Sequence, residues 1–108
     1  MAQESHPYEA SLGHHFTVAV LHADLHLPAC HSLKEKRGRL ARVMNYLRKK
    51  HPVAVAEVGD QDVWGRAGLA AVTLSTSRDM AGRIMEAAAE TLMQDGEIEL
   101  LWHEIELI

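Results

Sequence analysis

The chain has 108 residues, 47% of them hydrophobic and 24% charged, with a formal charge of −4. That is the make-up of one globular domain, able to bury roughly 65% of its unfolded surface without disulfides or metal; it excludes whole-chain disorder and argues against a general nucleic-acid binder. No apolar run approaches the ~18 residues of a transmembrane helix, no signal peptide is recognisable, and the lone Cys30 has no internal disulfide partner, so a cytoplasmic protein away from membranes is expected.

Residues 1–14 are polar and aperiodic and are expected to be a disordered tail. From His15 to Leu27 the pattern has period two and predicts a long strand. Phe16, Val18, Val20, His22, Asp24 and His26 share one face, and Thr17, Ala19, Leu21, Ala23, Leu25 and Leu27 the other. Pro28 ends it. Ser32-Leu33-Lys34-Glu35 reads as a capping box that starts a helix. Leu33, Leu40, Val43, Met44 and Leu47 give its buried stripe, with Arg39, Arg42, Tyr46 and Lys49 opposite. His51-Pro52 ends the helix.

Val53 to Val58 reads as a second strand, and 59–65 as a Gly- and Asp-rich loop. A third strand is expected from Arg66 to Leu74. Ser75, Thr76 and Ser77 offer a cap for a second helix, whose apolar stripe is Met80, Ile84, Ala87, Ala88 and Leu92. Asp95-Gly96 closes it, with glycine expected in the left-handed position. A fourth strand runs from Ile98 to Leu107. Right-handed crossovers in a β-α-β-β-α-β order lead to one common solution: an α+β, ferredoxin-like split βαβ domain over 15–108. Its four-stranded antiparallel sheet has order 4-1-3-2, with both helices on one face.

Charge is unevenly placed. Residues 34–50 carry eight bases against Glu35 alone, while 51–108 carry eleven acids and three bases. The bland reading is a solvated helix face. The functional reading is an anion or RNA contact surface. The topology brings the start of the first helix, the loop after the second strand and the Asp95-Gly96 turn to one end of the sheet. Candidate binding residues there are Lys34, Lys36, Arg37, Arg39, Arg42, Asp60, Gln61, Asp62, Trp64 and Arg66. They combine bases, acids, an indole and a helix N-terminus.

Other chemistry is weaker. His22, Asp24 and His26 are zinc-ligand types, but His22 and His26 would stand ~13 Å apart along a strand, so a metal site would need His103 to meet one of them. Cys30-His31 lacks a third orienting group for covalent catalysis. There is no Gly-rich phosphate loop, and paired aromatics of the kind an RNA-binding sheet uses are lacking. No catalytic residue, metal or cofactor is therefore assigned. The open sheet face carries Phe16, Val18 and Val20, with Val53 and Val55 if the second strand follows the same alternation and Trp102 in one of the two registers open to the fourth strand; such a face suits a homodimer or a partner protein.

Ser32-Leu33-Lys34-Glu35-Lys36-Arg37, followed by Val55-Ala56-Glu57-Val58-Gly59-Asp60-Gln61-Asp62-Val63-Trp64, resembles the small bacterial YlxP-like family of unknown function over about residues 15–108. The resemblance implies a ferredoxin-like fold and no catalytic residues. Its members are often encoded beside translation, transcription and ribosome-maturation factors, which implies ribosomal RNA or a ribosome-associated factor as partner. The His-rich first strand and long tail depart from the family. The expected function is a non-enzymatic binding module acting through the basic helix; the alternatives are a small-anion or small-ligand domain and a homo-oligomeric structural protein.

Overall fold

Ten residues of strict alternation form the central strand β1, Thr17–His26, whose odd-numbered side chains are buried and even-numbered ones half-exposed. The structure, a computed structural model, describes residues 15–59 and 62–108. The tail expected over 1–14, and Asp60 and Gln61, lie outside the described residues. Helix α1, Leu33–Lys50, follows. Then come β2, Ala54–Glu57; β3, Arg66–Ser75; α2, Arg78–Met93; and β4, Glu99–Leu107. The strands form one antiparallel sheet in the order β2-β3-β1-β4. This is the ferredoxin-like arrangement the pattern predicts.

Ala19, Leu21, Ala23 and Leu25 of β1, Ala67, Leu69 and Ala71 of β3 and Val55 of β2 form the sheet's inner face. They pack against Leu40, Val43 and Leu47 of α1 and Ala81, Met85, Ala88 and Leu92 of α2. Each large aliphatic side chain so buried contributes about 1.5–3 kcal/mol.

Three details differ from the sequence reading. Val55 pairs with Ala71 and is buried, so Val55 belongs to the core and Ala54 and Ala56 face outward. Val53 packs against the core as well. Pairing with β3 sets this: Ala71, the partner of Val55, lies on the inner face, so Val55 does too, and the alternation places Ala54 and Ala56 outside.

The buried stripe of α2 is also turned. Met80 is 48% exposed and Ala87 is exposed, while Ala81, Met85, Ala88, Ala89 and Leu92 are buried. One residue of offset rotates a helix face by about 100°, and a run rich in Ala and Met offers little to fix it.

Finally, Gly96 has no positive φ. Instead α2 ends on Gln94, whose amide donates to Glu90 O, and Asp95 Oδ1 then accepts from the Glu97 amide at 2.9 Å.

Candidate functional site

The capping box forms as expected. Ser32 Oγ accepts from the Glu35 amide at 3.1 Å, and Glu35 Oε2 reaches back to the His31 amide at 3.2 Å. At the same end, the Leu27 amide donates to Gly65 O at 2.9 Å, tying the end of β1 to the Trp64 loop. Lys36 Nζ donates to Val63 O at 2.6 Å. The start of α1 and the loop after β2 are therefore neighbours.

The same contact corrects the role expected of Lys36. It is 1% exposed and ion-paired to Glu57 at 3.2 Å, so it is a core group and not a surface base. Positions 36, 40, 43 and 47 form the buried stripe, and Leu33 and Met44 are only half-buried. Lys36 closes the space between helix and loop.

Arg39 and Arg42 are likewise tied down and do not form a free outer stripe. Arg39 Nη1 donates to Pro28 O at 2.7 Å and Glu97 O at 3.1 Å. Arg42 holds Asp95 at 2.8 and 3.0 Å and Glu97 at 2.5 Å. Burial pushes the Asp95 carboxyl up, but the Arg42 hydrogen bond, the Glu97 amide and the Arg42 charge outweigh it and hold Asp95 below the ordinary carboxylate range. The Asp95 hydrogen bond likewise outweighs burial and raises Arg42 above its ordinary value. A shallow groove of about 330 Å³ beside these groups is lined by Glu35, Gly38, Arg39, Arg42 and Glu97, so its bases already face acids.

The remaining bases of α1 are Lys34, Arg37, Arg48, Lys49 and Lys50, all exposed. Among the described residues none is in an ion pair. Arg48 is steadied by neutral acceptors, Asn45 Oδ1 at 2.9 Å and Val55 O at 3.0 Å. Lys50 sits 5.5 Å from the Tyr46 ring centre. At about 100° per residue, Lys34, Arg37, Arg48 and Lys49 share the solvent face with Gly38, Ala41 and Asn45. Two pairs of cations thus flank a low middle, roughly 20 Å apart along the axis. A side chain at Gly38 would meet nothing within 4 Å, so packing does not demand glycine there. Arg48 and Lys49 were missing from the sequence-derived site, although projecting the charges on a helical wheel finds them.

Asp62 and Trp64 are exposed on the loop, Trp64 by 51%. Arg66 lies apart from α1: it opens β3, pairs with His26 and faces the open side of the sheet. Trp102 pairs with Asp24 and is on that side too. His103 pairs with Ala23, an inner-face residue, and so faces away from His22 and His26. Those two contact Glu106 at 3.4 Å and Glu99 at 2.5 Å. Among the described residues, no group of three His, Cys, Asp or Glu side chains is arranged to hold a metal ion. Cys30 is buried and its thiol donates to Ser32 O at 3.5 Å. No helix among the described residues is long and apolar enough to cross a membrane.

Residues 18–105 match the family described as a protein of unknown function, DUF503. The chain is also 32% identical over 68 residues to a protein of Bacillus subtilis (strain 168) described as uncharacterized protein YlxP, a match that covers 63% of this chain and 74% of the relative.

Proposed function

The chain belongs to the DUF503 family of unknown function, and from that footing we propose that it is a non-enzymatic cytoplasmic binding module that docks on RNA phosphates, in the ribosome or in RNA bound for it, through the solvent face of α1. The observation that carries this reading is the division of the helix's bases. Lys36, Arg39 and Arg42 face acids within the fold, while Lys34, Arg37, Arg48 and Lys49 meet no acid among the described residues and share one exposed stripe. The small residues Gly38 and Ala41 between them let a nucleic-acid backbone approach the helix. Such a surface reads phosphate and not sequence. The acids Asp24, Glu99, Glu104 and Glu106 on the open sheet face oppose RNA binding there. A small-ligand site between helix and loop has less support, because Lys36 fills that space.

Fluorescence anisotropy with a double-helical RNA hairpin tests the reading. Binding should weaken steeply with salt and fall further in Lys34→Glu/Arg37→Glu and in Arg48→Glu/Lys49→Glu. Absence of binding at low salt, or an affinity indifferent to salt, sinks the proposal.

A further inference from the structure

No element among the described residues covers the sheet's outer face, and the register of that face shows what would fit it. Reading across the strands in the order β2-β3-β1-β4, successive outward rows begin with Leu74, Val18 and Ile108. Next come Ala54, Val72, Val20 and Glu106, then Ala56, Ala70, His22 and Glu104. Val58, Gly68, Asp24 and Trp102 follow, and Arg66, His26 and Glu99 close the face. Leu74 is 65% exposed and Trp102 51%. The two halves differ in kind. β2 and β3 offer small or aliphatic side chains and one charge, Arg66. β1 and β4 offer bulk and four acids.

From this asymmetry we infer that the outer face binds a second copy of the same chain, related by a two-fold axis parallel to the strands and lying between β1 and β3. That rotation keeps each row on its own row, brings β1 over β3 and β4 over β2, and leaves the strands aligned as stacked sheets prefer. Val18 then meets Leu74, Val20 meets Val72, and Trp102 meets the Ala56–Val58 end of β2. Glu104 and Glu106 lie over Ala56 and Ala54 at the rim, where water reaches them. Arg66 of one copy comes beside Asp24 and Glu99 of the other. Every contact occurs twice, as a two-fold requires. A two-fold perpendicular to the strands would instead set β4 on β4, acid against acid.

The face measures about 33 by 19 Å, so a pair would bury on the order of 1,200 Å², the lower bound for a stable specific interface. A reversible dimer in the micromolar range is therefore expected. This inference does not rest on the RNA reading, because the solvent face of α1 lies on the far side of the sheet and stays open in the dimer.

Sedimentation velocity on the full chain across a wide concentration range tests it. The wild type should pass from monomer to dimer. Trp102→Glu and Val72→Glu should each stay monomeric with unchanged circular dichroism, and Arg66→Glu should weaken the dimer by roughly tenfold. In a Trp64→Phe background, Trp102 emission should shift to the blue as the dimer forms. A wild-type monomer at the highest concentration overturns the inference. So does a dimer that tolerates both Trp102→Glu and Val72→Glu, because the interface would then lie elsewhere.

Discussion

The two sides of α1 carry the same kind of residue to opposite ends. On the side turned to the protein, Lys36 is sealed between Glu57 and Val63 O, and Arg39 and Arg42 clamp the Pro28 turn and the Asp95–Glu97 turn. On the side turned to water, Lys34, Arg37, Arg48 and Lys49 meet no acid among the described residues. A net charge counted along the chain overstates the potential available to a ligand, because part of it is neutralised by acids that arrive from β2 and from the turn before β4. What matters for association is the charge left after those pairs are drawn.

If that division is right, the inner bases govern stability and the outer ones govern RNA affinity. The largest effect should come from Lys36→Met, which leaves Glu57 without its ion-pair partner and should cost about 3 kcal/mol in a urea melt. Lys36→Met/Glu57→Gln should recover part of that loss. A Lys36→Met protein as stable as wild type would show that the pair contributes nothing.

Arg42→Ala should cost about 1 kcal/mol, discounted because Arg42 is 44% exposed at the pair. Its pH dependence is informative. Asp95 is held below its unfolded value, so its contribution is present above the ordinary carboxylate range and is lost as pH falls through the folded value. In Arg42→Ala the acid-side decline should therefore be shallower.

Gly38→Ala should stabilise the helix by about 1 kcal/mol, since packing does not demand glycine there. If RNA lies against this position, Gly38→Leu should weaken RNA binding while leaving the fold intact; unaltered binding would move the contact away from the middle of α1.

A smaller effect concerns His51, at the end of α1, where burial first and then the Lys50 charge pull the imidazole below its ordinary value. Its Nε2 lies 2.8 Å from Thr91 Oγ1. The unfolded chain therefore takes up this proton first as pH falls, and stability should drop below about pH 6.5. His51→Gln should flatten that drop, and an unchanged pH profile would exclude His51 as its source.

The sequence was most informative where its pattern was local. Alternation through β1 divided core from surface correctly, and Ser32 and Glu35 marked the start of α1. Right-handed crossovers then fixed the strand order. Legibility failed where a long-range partner decided the outcome. Lys36 sits at a core position of its own helix, but partners far along the chain, Glu57 and Val63 among them at 21 and 27 residues later, make its burial tolerable. The same holds for Arg42, whose partners follow more than 50 residues on. The faces of β2 and α2 are not legible locally, because alanine-rich segments give little contrast between one register and the next. Of the candidate site, Lys34, Arg37, Asp62 and Trp64 are exposed near the helix start, whereas Arg66 belongs to the sheet's outer face.

The most direct test of the central claim is the salt dependence of RNA-hairpin binding by Lys34→Glu/Arg37→Glu/Lys49→Glu, whose thermal midpoint should match the wild type. We expect its plot of log affinity against log salt to be shallower by about two to three units, one lost phosphate contact per base removed. A variant that binds with the wild-type slope and affinity would contradict the account.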